Sequence, residues 1–301
     1  MTYHLLRFSL KMISYIPFCV LYAFSGGMYF LLYHIIGYRR KVVRKNLTES
    51  FPEKNETEIK RIEKDFYRFF TDNIIEICKM GTMSGEEMIR RMKFTNINEI
   101  NEVLHWGRSV GLYLGHYGNW EWISSMPLHL YKNAISAQIY HKLNNEDFDR
   151  IMLENRAAHG ATNVEMRKTA RFINEQAKKK QVCIIGFIAD QSPKWTELNY
   201  FIPYLNHNTP VLTGTEKIIR HYNLDPWFVE VKRVKKGKYE ATFVHMHPDD
   251  DSQSDFPLTD LYYSMLEKMI RKNPALYLWT HNRFRHGTPI TNTQKLNGNG
   301  N

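Results

Sequence analysis

An uncharged stretch near the N-terminus limits what this chain can fold into more than any other feature. Residues 12–36 contain no Lys, Arg, Asp or Glu. As a helix that rises about 1.5 Å per residue, such a stretch can cross about 30 Å of hydrocarbon, whereas buried core helices of this length without charge are uncommon. Pro17 and the pair Gly26-Gly27 interrupt it, so a kinked span and a hairpin within one leaflet are both open.

A basic cluster, RRKVVRK at residues 39–45, follows this stretch. Basic residues beside an apolar segment favour the cytoplasmic side and anionic headgroups, so we expect residues 1–38 to anchor a body that faces the cytoplasm. The net charge of +10 by itself fits nucleic acid, anionic lipid or an acidic protein equally well. The three cysteines are widely spaced and odd in number, which excludes a disulfide framework or a CxxC metal site and favours a reducing location.

Hydrophobic periodicity predicts an α/β fold for the body. Residues 56–78 have apolar side chains at helical spacing and predict an amphipathic helix. Further along the chain, we predict strands at residues 109–114, 182–189, 226–233 and 239–247, and helices at residues 120–131 and 209–222. Strands that alternate with helices indicate one α/β domain, here residues 39–290, and residues 291–301 are expected to form a disordered tail.

The sequence GHYGNWEW, which begins at Gly115, carries the candidate chemistry. On one helix, His116 and Glu121 would lie about 140° apart and could not meet. If glycines bend the chain and a helix starts near Asn119, Glu121 can accept a hydrogen bond from one ring nitrogen of His116. The other ring nitrogen is then free to take a proton from an alcohol or amine that attacks an acyl carbon. The alternative is a histidine that caps a turn beside a solvated glutamate.

Other catalytic motifs are missing from the sequence. There is no H-E-x-x-H, no Walker-type GxxxxGK[ST] and no GxGxxG after a strand, so no metal or cofactor is predicted. His245 and His247 would share one face of a strand, but no third metal ligand is evident. Without a G-x-S-x-G motif, direct acyl transfer is preferred to a covalent serine intermediate. The oxyanion would then need donors from the start of a helix or from an arginine.

GHYGNWEW, with its H-x4-E spacing, resembles the motif of the late lipid A acyltransferases, the lauroyl and myristoyl transferase family related to glycerolipid acyltransferases. The resemblance covers nearly the whole chain and includes four more segments: GYRRKVVRKNL at 37–47, IADQ at 188–191, FIPY at 201–204 and PALYLWTHNRF at 274–284. It implies a mixed central sheet flanked by helices, as in glycerolipid acyltransferases, with an N-terminal membrane-anchoring helix.

The resemblance also implies a reaction and a set of site residues. The expected reaction moves an acyl chain from acyl carrier protein to a hydroxyl of a lipid A precursor, without a cofactor, at the cytoplasmic face of the inner membrane. By this resemblance His116 is the general base and Glu121 its orienting partner. The residues expected to contact substrates are Gly118, Asn119, Trp120, Arg156, Arg167, Asp190, Gln191 and Arg283. Both the acidic carrier protein and the phosphorylated glycolipid would be attracted by the positive chain.

Departures from the family pattern fall where we expect acceptors to be distinguished. Relatives commonly have Tyr-Arg-Pro where this chain has Tyr140-His141-Lys142. Two alternatives therefore stand beside the lipid A precursor. One is the same chemistry on an aminolipid or a glycosylated phospholipid. The other is a non-catalytic, membrane-anchored basic protein that binds carrier protein or nucleic acid, although nucleic acid is not an expected partner of the enzyme.

Overall fold

The structure is a computed structural model that describes residues 3–249 and 251–290. Its α-helices are α1 (Tyr3–Tyr15), α2 (Phe18–Phe30), α3 (Arg40–Ser50), α4 (Glu56–Met80), α5 (Gly85–Arg91), α6 (Ile97–His105), α7 (Glu146–Ala157), α8 (Thr169–Lys178), α9 (Gly214–His221) and α10 (Pro257–Lys272). A π-helical turn, Leu31–Ile36, extends α2. The 3₁₀ helices are Trp120–Leu128, Met166–Lys168, Trp195–Glu197 and Pro274–Leu276.

The strands form two sheets. They are β1 (Met92–Phe94), β2 (Val110–Leu114), β3 (Ile135–Tyr140), β4 (Thr162–Glu165), β5 (Cys183–Ile188), β6 (Phe201–Tyr204), β7 (His207–Pro210), β8 (Asp225–Lys235), β9 (Lys238–His245) and β10 (Thr288–Pro289). The main sheet has the order β1-β9-β8-β2-β5-β3-β4, and β6, β7 and β10 form a small antiparallel sheet. In the main sheet only the pair β8 and β9 is antiparallel. The predicted mixed sheet flanked by helices is confirmed.

Strand β2 is the central element of the main sheet. It pairs in parallel with β5 on one side and with β8 on the other, and all of its residues are buried. A parallel strand that is covered on both faces is apolar throughout, as its sequence VGLYL is. Because β2, β5 and β3 run in the same direction, the loops that follow them meet at one edge of the sheet.

The apolar N-terminal segment bends once. Pro17 separates α1 from α2, since proline has no N–H to continue a helix, whereas Gly26 and Gly27 lie inside α2 without interrupting it. From Phe18 to Ile36 the helix is 19 residues long, with a mean hydropathy of 1.5 over its most apolar window, and is long and apolar enough to cross a membrane. Gly37 ends it in the left-handed conformation, at φ 65°.

Helix α4 begins at its predicted first residue, Glu56, and runs two residues past the predicted end to Met80. Its start is fixed by a capping box, in which the Asn55 side chain accepts from the Glu58 N–H and the Glu58 carboxylate accepts from the Asn55 N–H. The buried face of α4 packs into a single large hydrophobic core. Residues 291–301, predicted to be a disordered tail, lie outside the described residues.

The predicted helix at residues 209–222 is wrong in its first part. Residues 207–210 form β7, which pairs with β6, and α9 begins only at Gly214. The hairpin turns through Leu205 and Asn206, which both have positive φ values, of 48° and 61°. A left-handed leucine is not a turn signal that sequence patterns provide, because bulky residues rarely adopt it.

Candidate active site

The register of two parallel strands brings His116 and Asp190 together. Leu114, the last residue of β2, pairs with Ile188, the last residue of β5. His116 and Asp190 each lie two positions beyond those partners, at the carboxyl edge of the sheet. The His116 ring Nδ1 is 2.7 Å from Asp190 Oδ1, and the His116 backbone N–H donates to Asp190 Oδ2 at 3.0 Å. One buried carboxylate therefore binds both the ring and the backbone of the histidine.

The charge of Asp190 decides which nitrogen of His116 holds the proton. Burial raises the pKa of Asp190, but the facing His116 ring, the His116 backbone N–H and Arg283 outweigh burial and hold this pKa below its ordinary value. Asp190 is thus an ionised carboxylate that can only accept hydrogen bonds. The Nδ1 atom of His116 must therefore donate to Asp190, and in the neutral ring Nε2 then carries the lone pair.

The predicted hydrogen bond between Glu121 and His116 is wrong. Glu121 instead forms a two-pronged ion pair with Arg156, whose Nε and Nη2 atoms each lie 2.7 Å from a carboxylate oxygen. A third donor, the indole N–H of Trp120, reaches Glu121 at 3.2 Å. The 3₁₀ helix turns Glu121 toward the last turn of α7, which contains Arg156, so the Glu121 carboxylate is already paired. Asp190 holds the histidine in its place.

We expect Glu121→Ala to destabilise the protein, because it leaves the Arg156 guanidinium without its carboxylate. Removing one member of a buried ion pair costs about 3–5 kcal/mol, and we expect about 2–3 kcal/mol here because Arg156 keeps some solvent contact. Urea unfolding in detergent measures the change. The double variant Glu121→Gln/Arg156→Gln is the control, and it should recover part of the loss. If the single variant is as stable as wild type, the pair does not support the fold.

Two glycines shape the turn between β2 and the 3₁₀ helix. A Cβ on Gly115 would lie 2.6 Å from Leu266 Cδ1, and one on Gly118, which has a φ of 61°, would lie 2.8 Å from Val231 Cγ1. The PALYLWTHNRF segment then lies against the turn. The Leu278 N–H donates to the His116 carbonyl at 3.1 Å, so the backbone of the histidine is held from both sides.

A buried glutamate that the sequence analysis missed fixes the middle of the motif. The Asn119 amide donates to Glu76 of α4 at 3.0 Å, while its carbonyl oxygen caps the 3₁₀ helix by accepting from the Trp122 N–H. Tyr239 and the Gly237 N–H also donate to Glu76, which is fully buried. The signal was present in the sequence, since a glutamate interrupts the apolar face of the predicted helix at residues 56–78.

A cavity of about 480 Å³ opens beside the histidine. Its polar lining includes His116, Glu121, Arg156 and Gln191. Its apolar lining comes largely from the ends of β2, β5 and β3 and from the 3₁₀ helix, and consists of Leu112, Leu114, Ile123, Met126, Ala137, Ile139, Leu143, Gly186, Ile188 and Leu278. A cavity of this size, with polar groups beside an apolar wall, fits a ligand that has a polar head and an aliphatic chain.

The other predicted contact residues divide into two groups. Trp120 and Gln191 line the cavity, and the Gln191 amide nitrogen is 3.3 Å from His116 Nε2. Arg167 is exposed on a short 3₁₀ helix and is not part of the cavity lining. Arg283 is buried behind Asp190, where it donates to Thr209 Oγ1 and to a backbone carbonyl, so it acts on the site through Asp190.

His281 gives the site a pH-sensitive neighbour. Its Nε2 atom accepts from the Ser192 N–H at 3.2 Å, which requires a neutral ring, and burial lowers its pKa from 6.5 to about 4. As the pH falls from 6.5 to about 4, residue His281 therefore binds a proton in the unfolded chain but not in the folded one. We expect stability to fall in this window, and less so in His281→Asn, when thermal midpoints of the two proteins are compared. If the thermal midpoints of the two proteins fall equally with pH, the prediction is contradicted.

A comparison with protein families matches residues 1–286 to the model of the bacterial lipid A biosynthesis acyltransferases. The chain belongs to this family. As a lipid A biosynthesis acyltransferase, it has an acyl donor and a lipid acceptor. The family is membrane-associated, in agreement with the apolar helix from Phe18 to Ile36. The chain matches none of the curated proteins with which it was compared.

Within residues 3–249 and 251–290, no cluster of three or more His, Cys, Asp or Glu side chains could hold a metal ion. His245 and His247 contact each other, and His245 also contacts Asp225. In this lipid A acyltransferase, His116 and its partner Asp190 lie at the cavity, where His116 is part of the lining. Its candidate chemistry is therefore that of a histidine base held by a carboxylate.

Proposed function

We propose that this protein transfers a fatty acyl chain from acyl carrier protein to a hydroxyl of a lipid A precursor, with His116 as the general base and Asp190 as the residue that orients it. The observation that carries the proposal is the hydrogen bond of His116 Nδ1 to a buried, ionised Asp190, beside a cavity that His116 also lines. This arrangement resembles the base and carboxylate of acyl transfer enzymes in general.

In the proposed reaction, the acceptor hydroxyl gives its proton to His116 Nε2 as its oxygen attacks the thioester carbonyl. The tetrahedral intermediate collapses by breaking the carbon–sulfur bond, and the leaving thiolate takes the proton from the imidazolium. Asp190 stabilises the imidazolium while it exists, since its negative charge lies 2.7 Å from Nδ1. The Gln191 amide lies beside Nε2, and the acceptor hydroxyl would replace it there.

Glu121 and Arg156 have a different part in this proposal. Two short hydrogen bonds fix the Arg156 guanidinium at the cavity wall, where its remaining donors are available to a polar substrate group. Glu121 is then a positioning residue for Arg156. Arg156 thus keeps its predicted role as a substrate contact. Glu121 still orients a neighbour in the site, but that neighbour is Arg156 and not His116.

Charge supports the proposed donor and the proposed location. Acyl carrier proteins are acidic, and a chain with a net charge of +10 would attract one and a phosphorylated glycolipid alike. A carrier-bound donor is cytoplasmic, so we place the site at the cytoplasmic face of the inner membrane. The basic residues 39–45 beside the anchor support the same side.

The proposal is tested by acyl transfer with the detergent-purified protein. Acyl-carrier-protein and acyl-coenzyme A thioesters are offered with a tetra-acylated lipid A precursor, an aminolipid or a glycosylated phospholipid, and products are identified by mass spectrometry. We expect transfer from the carrier-bound donor to the lipid A precursor. Transfer that prefers another acceptor would retain the chemistry and reject the lipid A assignment. Donor binding with no transfer to any acceptor would support the non-catalytic alternative.

A further inference from the structure

Two apolar stripes on the N-terminal helices face away from the protein body. The stripe on α1 consists of Leu5, Phe8, Met12 and Tyr15, and the stripe on α2 and its π-helical turn consists of Val20, Phe24, Leu31 and Ile35. All of these side chains are at least 42% exposed. Such stripes are continuous along each helix and require an apolar environment that the described part of the chain does not supply.

The opposite face of α2 is bound to α4 along its whole length. Near its start, Tyr22 donates to Glu76 at 3.0 Å, and in its middle Ser25 donates to Asp72 at 2.6 Å. At its end the Tyr33 ring packs on α4 and is 1% exposed. Later residues of α2 and its π-helical turn contact earlier residues of α4, so the two helices lie side by side and antiparallel. Helix α2 does not project from the body.

Two basic side chains of the body, Lys79 and Arg91, contact the body-facing side of α1 and α2. Lys79 donates to the carbonyls of Ser14 and Ile16 and thereby fixes the bend between α1 and α2. The Arg91 guanidinium lies 3.8 Å from the centre of the Phe18 ring. These contacts would break if the two helices were straightened into one long span.

A perpendicular crossing would carry the charges of α4 into the bilayer together with α2. Arg68 lies over the Tyr29 ring, near the middle of the apolar helix from Phe18 to Ile36, and the Arg68 side chain is 57% exposed beside that of Asp65. Lys236 lies over the Tyr22 ring and is also partly exposed. Exposed charges at the centre of the hydrocarbon are among the most costly groups in a membrane. Helix α4 cannot enter the bilayer with α2, because its other face is part of the hydrophobic core.

We propose that α1 and α2 form a monotopic anchor, lying in the plane of one leaflet of a bilayer that contains anionic phospholipid. In this position both stripes enter the boundary between headgroups and acyl chains, while the faces bound to the body stay outside the hydrocarbon. Lys41 and Lys45, exposed just after the anchor, meet the anionic headgroups. Of the two topologies that the sequence left open, the proposal takes the one within a single leaflet.

Labelling of paired cysteines separates the two topologies. Cys19 and Cys78 are replaced by serine, Cys183 is kept because it is buried, and cysteines are introduced as Lys11→Cys in α1 and Lys178→Cys in α8. The protein is reconstituted into sealed vesicles of phosphatidylethanolamine and phosphatidylglycerol and treated with a membrane-impermeant maleimide. The number of labels per molecule is then counted by mass spectrometry.

The count does not depend on which way each molecule was inserted. A monotopic anchor puts both cysteines on the same side, so each molecule carries two labels or none. A spanning helix puts them on opposite sides, so each molecule carries one label, and that result would overturn the proposal. The protein without introduced cysteines is the control for background labelling.

Vesicle flotation tests the stripe itself. We expect the double variant Phe24→Asp/Ile35→Asp to lower partition into the same vesicles about tenfold or more, because two exposed apolar contacts are lost to charge. Phe201→Asp, at an exposed apolar residue of β6, is the matched control and should float like wild type. If the double variant floats normally but loses a dimer, the stripe binds a second copy of the chain and not lipid.

Discussion

Acyl transfer by His116→Ala is expected to be about 10²–10⁴-fold slower than in wild type, which is the usual contribution of a general base. The variant removes the imidazole that lines the cavity and is hydrogen-bonded to the ionised Asp190, and with it the Nε2 atom that would accept the proton. It also leaves the Asp190 carboxylate with only the backbone N–H of residue 116. Transfer rates at saturating donor and acceptor, measured beside the thermal midpoint, separate loss of chemistry from loss of fold.

Two further variants make this result interpretable. His116→Gln offers an amide N–H to Asp190 but cannot take up a proton, so its rate should remain low even if its stability returns. His141→Ala removes a second imidazole that lines the same cavity and is exposed, and it should keep most of the activity. If His141→Ala is as slow as His116→Ala, the assignment of the base is wrong.

Asp190→Asn is the second large effect that we expect, with a rate loss of about 10²–10⁴-fold. The side chain keeps its shape but has a single acceptor oxygen for two donors, the backbone N–H and the ring Nδ1 of His116. If the oxygen keeps the backbone N–H, the amide faces Nδ1 and forces the ring proton to Nε2. The base then has its proton on the wrong nitrogen. The pH profile of the rate should lose the limb that reports the base.

Glu121→Gln is the comparison that decides between the two carboxylates. It keeps a hydrogen bond to Arg156 and does not touch the His116 ring, so we expect changes in substrate affinity and stability with the base still titrating. The opposite pattern, with an active Asp190→Asn and an inactive Glu121→Gln that has lost the pH limb, would restore Glu121 as the partner of the histidine.

The fold was largely predictable because its strands carry strong local signals. The apolar segments that became β2 and β5 were recognised to within one residue at each end, and α4 was recognised from helical spacing. The hairpin of β6 and β7 was missed, because it turns through a left-handed leucine and contains prolines that resemble loop residues. In such short strands, pairing with neighbours determines the structure more than propensity does.

The site was predictable in its members and not in its partnerships. His116, Glu121, Arg156 and Asp190 were all named from the sequence, but the spacing of five suggested a local pair. The partner of the histidine is 74 residues away. The missing step was available, since both His116 and Asp190 follow predicted buried strands, and parallel neighbours bring such residues to the same edge. Burial of Arg283 behind Asp190, by contrast, depends on packing that no local pattern reveals.

The pairing of Leu114 with Ile188 also has a consequence for how the enzyme acquires its activity. Neither strand alone holds both His116 and Asp190. The chain between the two strands includes β3, α7, β4 and α8, and it forms the loop that closes when β5 pairs with β2. Long-range parallel pairing of this kind is slow to form, because a large loop must close first. On refolding, catalytic competence should therefore return after most helical signal has recovered, and an enzyme arrested at that stage would be compact, helical and inert.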